Sequence, residues 1–586
     1  MSYRRKKLLA LFFAMALSMT AVAGCTGTKS STGNVVSSET ETNAEETSAQ
    51  SEAGTFSSAD MFTERDLAGT YEESGAVYVT LSDDGITGET DGVAINGQMV
   101  TITAEGTYIF SGTLSEGQIV VDADNAKVQI VFDNVDITCA SSAAVYVKSA
   151  EKVFVTLAEG SQNTLRNTDE YVAIDDNNID AVIFAKSDLT LNGTGSLGIV
   201  SKDDLKITGG TYDITAAGHA LSGKDSVRIA DGTFILTAEK DGIHAENADD
   251  EEKGYIYIAD GDFTITSDGD GMDASNIVQI EDGTLDITAG GGAANSLKTH
   301  ESDVPGGPGG GMPQNGERPD GESMPQMGEK PDGENMPQDT TTDESGTSTK
   351  GIKAGGGMYL NGGTYQIDSA DDSIHSNANI TIADGTYTLA TGDDGVHADD
   401  ALIVNGGTIT VTESYEGLEG LTVTINDGTI DITASDDGIN TAGEKMELNG
   451  GYIHILAGGD GVDSNGDLTI NGGEIYIDGP SDNGNSAIDY GDRSSAYVNG
   501  GTLVAIGSSG MAEVMSDSSK QKVLMVKLGE QMEAGNVVLT DSEGNVIVSY
   551  TALKTYDCVI ISTAEVESGA TYTLTTSGTM TEVTAE

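Results

Sequence analysis

Asp241, Asp270, Asp372, Asp394, Glu416, Asp437 and Asp460 each open a short block of the form Asp-Gly-apolar-polar, and from Asp372 onward these blocks recur every 21–23 residues. More carboxylates stand beside them: Asp273 and Asp463 three places on, and Asp371, Asp393 and Asp436 one place before. A side chain repeated at one position of a stacking repeat forms a column, with neighbours about 4.8 Å apart if the repeats pair as strands. Unit charges about 5 Å apart repel by about 3 kcal/mol at an effective dielectric of 20. Such a column must therefore take up protons or cations. Oxygen-only donors suit a hard ion, and Ca2+ is the expected one if the chain is exported. The candidate ligands are Asp241, Asp270, Asp273, Asp371, Asp372, Asp393, Asp394, Asp436, Asp437, Asp460 and Asp463. The competing reading is that Asp-Gly pairs make tight turns and leave their carboxylates in water.

Other residues at the same blocks invite different chemistry. His244, His375 and His397 share the last position of the block and could join a transition-metal site or form a partly solvated ladder; no HExxH accompanies them. Lys298 and Lys353 stand in similar SLK and GIK contexts. A Lys beside a carboxylate-bound ion could serve as the base of an elimination on a uronic acid, or it could be an ordinary counter-charge. The spacing of Asp268, Asp270 and Asp273 does not make an EF-hand, because no Glu closes the loop.

The elements that position these residues follow from an internal repeat. The second residue of an NGG or DG pair recurs at Gly210, Gly232, Gly261, Gly283, Gly363, Gly385, Gly407, Gly428, Gly451, Gly473 and Gly501. The usual step is about 22, and the long step between Gly283 and Gly363 absorbs an insertion. Each glycine precedes a Thr/Ile/Val/Tyr alternation such as GTIDITA from Gly428, the period-2 signature of a strand. Two places after it stands an apolar column: Tyr212, Phe234, Phe263, Leu285, Tyr365, Tyr387, Ile409, Ile430, Ile453, Ile475 and Leu503. Two or three short strands per 22 residues, with Gly and Asn at the corners, predict an all-β fold: a right-handed, single-stranded parallel β-helix with that column facing inward. A leucine-rich repeat lacks support from the Leu and Asn spacing, and a helical repeat lacks the 3.6 period.

The termini and composition set the context. Of 586 residues, 95 are Asp or Glu against 28 Lys or Arg, a net charge of −67 that makes nucleic acid a poor partner. Arg4, Arg5, Lys6 and Lys7 precede an apolar run from Leu8 to Leu17, the layout of a secretory signal too short to span a membrane. Val22-Ala23-Gly24-Cys25 resembles the lipobox of bacterial lipoproteins, which implies cleavage before Cys25 and a lipid on it; an ordinary signal peptide is the alternative. Residues 26–55, rich in Ser, Thr, Glu and Ala, read as a flexible tether. Residues 299–350 hold seven of the eight prolines and a 12-residue MPQ-containing repeat from Met312, which reads as a disordered insertion. The expected organisation is a signal peptide over 1–24, a tether over 25–55, an N-terminal β region with the first coils over 56–170, the helix core over 171–507 and a small C-terminal β segment over 508–586. Cys139 and Cys558 are read as buried thiols.

In combination, FTERDLAGTYEESGA from Phe62, TITAEGTYIFSGTLSEGQIVV from Thr101 and KVFVTLAEGSQNTL from Lys152 resemble the N-terminal part of the carbohydrate-binding, parallel β-helix surface lipoproteins of clostridia and relatives. The NGGTY and DDGIH repeats, the Gly/Pro/Met-rich insertion, YDCVIIS at Tyr556 and GATYTL at Gly569 extend the resemblance over nearly all of Phe62 to about Thr576. It implies a Ca2+-binding protein that takes plant cell-wall polysaccharide, above all acidic pectin-like chains, and is shaped like pectate lyases without established turnover. It implies ligand roles for the Asp columns named above, although Ser373, Glu416 and Asn440 break their uniformity.

The expectation is thus a non-catalytic, monomeric polysaccharide-binding protein on the extracellular face of the cell membrane, touching the membrane through its lipid anchor only. A chain at −71 after removal of residues 1–24 would repel an acidic glycan unless divalent ions bridged the two. One rival is a Ca2+-dependent polysaccharide lyase built on Asp241, Asp270, Asp273 and Lys298. The other is an adhesin or stalk without sugar specificity.

Overall fold

The computed structural model describes residues 56–585, apart from 89, 169–176, 178, 194–195, 198–203, 251, 299–347 and 492. The signal peptide, Cys25, the tether and nearly all of the Pro-rich insertion lie outside the described residues. The described chain is all-β, with a 36-stranded sheet, a five-stranded sheet and a four-stranded sheet. The large sheet is mixed: parallel through the repeats and antiparallel at its C-terminal end.

Each repeat contributes three strands, and each strand pairs in parallel with its counterpart one repeat on. The first ladder consists of three-residue steps such as Ile352–Ala354 on Ile374–Ser376. A second runs through Met358–Leu360 and Ile380–Ile382. A third runs through Thr364–Ser369 and Thr386–Thr391. The pairing of Thr364 with Thr386 reproduces the 22-residue period, and Met272 pairs with Ile352 directly across the insertion.

The interior follows from the period-2 pattern. Every member of the column from Tyr212 to Leu503 is buried, in consecutive parallel register. Its aromatic members stack: Phe234 on Phe263 at 4.6 Å and Tyr365 on Tyr387 at 4.5 Å between ring centroids. Tyrosine is tolerated because its hydroxyl donates to a carbonyl three residues back, Tyr365 to Gly362 at 2.8 Å and Tyr387 to Asp384 at 2.9 Å. At the NGG corner, Asn426, Asn449, Asn471 and Asn499 each donate to the Asn one repeat earlier at 2.8–2.9 Å. The last glycine of the corner takes positive φ, 90° at Gly407 and 82° at Gly451, which a side chain would resist.

One flank and the C-terminal end of the stack are covered by other segments of the chain. Thr63 and Asp66 form a capping box on the short helix Glu64–Leu67, and buried Asp66 meets Lys152 at 2.5 Å and Thr190 at 3.0 Å. Phe56 binds Gln279 at 2.6 Å, so residues 56–67 run along the outside of the second ladder. At the C-terminal end Tyr556–Ser562 pairs antiparallel with Thr502–Gly507 and with Leu524–Met532, occupying an edge that would otherwise offer unpaired backbone groups. Cys139 and Cys558 are free and buried. Among the described residues, no helix is long and apolar enough to cross a membrane.

Candidate functional site: a carboxylate column and its counter-ions

The middle residue of each first-ladder strand is held in register as one column: His244, Asp273, Lys353, His375, His397, Glu419, Asn440, Asp463 and Asp489. A second column stands two residues before each strand, at His219, Asp241, Asp270, Lys350, Asp372, Asp394, Glu416, Asp437, Asp460 and Ser486. Between the two columns sits a small residue, usually glycine. At Gly438 a Cβ would lie 2.2 Å from Ile455 Cγ2 and 2.5 Å from the Gly461 carbonyl, so the tight step between columns leaves little room there.

One oxygen of each second-column aspartate is structural. Oδ1 of Asp241 accepts the Asp270 N–H at 2.9 Å, Asp270 that of Lys350 at 2.7 Å, Asp372 that of Asp394 at 3.1 Å, and Asp437 that of Asp460 at 2.6 Å. Asp460 accepts the Ser486 N–H in the same way. The turn-making and ion-binding readings of the Asp-Gly blocks are therefore compatible: one oxygen of each pair joins repeats while the other faces the neighbouring column.

In the N-terminal half that second oxygen already has basic partners. Asp372 Oδ2 lies 2.6 Å from Lys350 Nζ and 2.8 Å from His375 Nδ1. Lys298 bridges Asp371, at 2.6 Å, and Asp393. Lys350 also meets Asp371 at 2.8 Å, and Lys353 lies 3.2 Å from Asp273 and 3.5 Å from Asp270. His397 Nδ1 contacts Asp394 at 2.9 Å and Glu419 at 2.6 Å. Burial opposes the charge on Lys298, but Asp372, Asp393 and Asp371 outweigh it and hold the ammonium well above its ordinary range. The same balance raises Lys350, through Asp372 and Asp371, and Lys353, through Asp270 and Asp273. Burial likewise opposes ionisation of Asp372, yet Lys350 and His375 draw it well below the usual carboxylate range.

The C-terminal half differs. From Glu416 onward the two columns contain no Lys, Arg or His. Asp437, Asp460 and Asp463 each present an oxygen within 4.8 Å of the others. Burial first, then Asp436, Asp460 and Asp463, push Asp437 up to about 8. Burial with Asp463 and Asp489 pushes Asp460 up to about 7 despite the Ser486 N–H, and burial with Asp489 pushes Asp463 up to about 6. Glu416 is raised well above its ordinary value by burial and by Asp394, Glu419 and Asp437. Asn440 donates to Glu416 at 2.9 Å, while its Oδ1 is buried without a hydrogen-bond partner.

The eleven aspartates expected as ligands thus fall into different surroundings. Asp241, Asp270, Asp273, Asp371, Asp372, Asp393 and Asp394 have histidine or lysine neighbours, whereas among the described residues Asp437, Asp460 and Asp463 meet one another and backbone N–H groups but no charged base; Asp436 raises all three. The constellation of Lys298 with Asp241, Asp270 and Asp273 is not formed. Lys298 reaches Asp371 and Asp393, and Lys353 takes the place beside Asp270 and Asp273, because the chain leaves the stack after Ala289 and returns one repeat later. Sequence reading missed His219, Lys350 and Asp489. Lys350-Gly351-Ile352-Lys353 has the block pattern with Lys in place of Asp, and that pattern was the available signal. Where the insertion leaves, a cavity of about 390 Å3 opens between Asp268, Gly290, Asn295, Lys298 and Asp371.

Comparison with known proteins bears on this geometry. A family model described as carbohydrate-binding domain-containing protein matches residues 96–395 and 393–544. A protein of Acetivibrio thermocellus with that same description is 41% identical over 137 residues, 22% of this chain and 48% of that protein, so the chain spans about half the length of the curated relative it matches. A solved structure titled as the polysaccharide lyase-like protein from C. thermocellum, gadolinium derivative, is 35% identical over 37% of this chain and 92% of its own, with a TM-score of 0.35.

Proposed function

Because the chain belongs to the family of carbohydrate-binding domain-containing proteins, we propose that it binds an acidic polysaccharide through Ca2+ held at the C-terminal end of the carboxylate column. The observation that carries this reading is the run of half-buried carboxylates from Glu416 to Asp489, with Asp460 buried among them and no basic residue in either column. Asp437, Asp460 and Asp463 would hold the ion, with Asn440 Oδ1 as a further oxygen. An all-oxygen donor set with unsatisfied negative charge fits Ca2+ and fits neither zinc nor copper well. A bound divalent ion supplies positive charge to which a uronate carboxylate can attach, overcoming repulsion from a chain at −67.

The stacked parallel repeats at a period near 22 support a right-handed parallel β-helix as the scaffold, the hand following from the crossover preference of parallel strands. The N-terminal sequence supports export and lipid attachment at Cys25, and with them a binding face on the outside of the cell. Binding without turnover is favoured by the lysines: an elimination needs an unprotonated base, and Lys298, Lys350 and Lys353 are all held protonated by carboxylates.

The test is calorimetric titration of polygalacturonate into the protein with Ca2+ and then with chelator, while ultraviolet absorbance follows unsaturated products. Binding that requires Ca2+, is lost in Asp460→Asn and leaves absorbance flat is the expected result. Binding that survives chelation refutes the Ca2+ bridge. Rising absorbance makes the protein a lyase.

A further inference from the structure

The outward position of the second ladder carries Phe154, Thr190, Lys206, Arg228, Tyr257 and Gln279 in consecutive parallel register. Two adjacent bases, an aromatic ring and an amide thus stand in one row on a chain of net charge −67. The chain's own N-terminal arm lies over them. Asp66 is fixed at Lys152 and Thr190, the Met61 carbonyl faces Arg228, and Phe56 exchanges a pair of hydrogen bonds with the Gln279 amide at 2.6 and 3.0 Å. The arm from Phe56 to Arg65 therefore crosses Gln279, Tyr257, Arg228 and Lys206 in turn.

Its two ends are held differently. The Asp66 carboxylate accepts from Lys152, Thr190 and Thr63, and its carbonyl accepts from Thr208 at 2.8 Å. Upstream of it, Met61 is the one buried side chain among the described residues of the arm. The bases beneath are poorly matched there. Lys206 is nine-tenths buried, yet its nearest carboxylate, Asp188, stays 3.9 Å away. Burial, with Arg228 and Lys152 close by, holds its ammonium below the ordinary range. Arg228 gives Nη2 to Asp204 at 2.9 Å, but Nη1 finds only the Met61 carbonyl at 3.5 Å. The arm covers this positive charge without neutralising it, which leaves a desolvation cost that an anion in its place would remove. Where it does fit, it fits by ring contact: Phe56 lies 4.4 Å from Tyr255 and Phe62 lies 6.2 Å from Tyr257 between centroids.

We propose that Lys206, Arg228, Tyr255, Tyr257 and Gln279 form a second glycan site, specific for a uronate-bearing chain and independent of Ca2+, which residues 56–65 cover as a displaceable strap. Lys206 and Arg228 would take a uronate carboxylate in charge-assisted hydrogen bonds. The tyrosine rings would take the apolar face of a pyranose now imitated by Phe56 and Phe62, and Gln279 would bind hydroxyls in place of the Phe56 backbone. Asp66 remains the hinge, since its contacts lie outside the row that the sugar would use. The site rests on the acidic-glycan part of the function proposed above and not on its Ca2+ bridge.

Polygalacturonate is titrated calorimetrically into the full chain in EDTA. The unaltered chain should show little binding. The variant Phe56→Ser/Met61→Ser/Phe62→Ser, which loosens the arm and keeps the Asp66 anchor, should bind at least about tenfold more tightly. Adding Lys206→Gln and Arg228→Gln to that variant should return the affinity to the unaltered level. Equal affinity of the loosened and unaltered chains overturns the proposal, as does a gain that survives loss of both bases. Should the triple variant fail to fold, Phe56→Ser alone must show part of the gain, and its failure to do so is equally decisive. If Ca2+-dependent binding is missing from the unaltered chain while the loosened variant gains affinity in EDTA, the Ca2+ bridge falls and this site stands; the reverse pattern removes this site alone.

Discussion

Replacing Asp437 by Asn isolates the electrostatics of the C-terminal cluster. Asn retains an oxygen to accept the Asp460 N–H, now at 2.6 Å, and deletes only the charge. An aspartate ordinarily ionises near 3.8, whereas folded Asp437 keeps its proton to about 8. Below pH ~4 both folded and unfolded chains hold the proton, and no stability is lost. Between there and about pH 8 unfolding releases a proton, so stability falls as pH rises, and above that the penalty is complete. Some four pH decades at about 1.4 kcal/mol each set a ceiling of roughly 5–6 kcal/mol. Asp460 and Asp463 share the repulsion, so Asp437→Asn should recover about 2–3 kcal/mol at pH 8 in chelator. Repeat stacks open locally, so the assay is amide hydrogen exchange over residues 416–490 at pH 5 and pH 8, corrected for intrinsic rates. Ca2+ at 100 times its Kd should restore about 2.7 kcal/mol to the unaltered chain and little to the variant. Protection in chelator that holds or rises from pH 5 to pH 8, or a variant less protected than the unaltered chain at pH 8, refutes the reasoning.

Gly438→Ala forces a methyl against Ile455 Cγ2 and the Gly461 carbonyl and should cost about 1–3 kcal/mol, read as a lower thermal midpoint with Ca2+ present. Lys298→Gln leaves Asp371 and Asp393 without their bridging ammonium and should destabilise by about 3–5 kcal/mol, seen as faster proteolysis around residues 290–298; an unchanged cleavage rate would mean that Lys350 suffices for Asp371 and that Asp393, pushed up to about 9 by burial and Asp394, keeps its own proton.

The repeat was legible in the sequence because its causes are local. Side chains alternate faces along a strand, so the column from Tyr212 to Leu503 could be picked out by position and is buried throughout. The NGG corners followed from backbone conformation alone. The Asp-Gly blocks were equally visible, and so was the crowding of carboxylates that stacking would produce.

Which carboxylates are neutralised was not legible. Lys298 and Asp393 are 95 residues apart and meet only because the chain leaves the stack and returns. Lys350 and His219 complete the columns with residue types that the Asp-Gly pattern excludes. The alternating face of a strand depends on its neighbours in the chain, and sequence carries that information directly. Coulomb energy and metal ligation depend on separations of a few ångströms between residues on different repeats, and only the tertiary structure sets those distances.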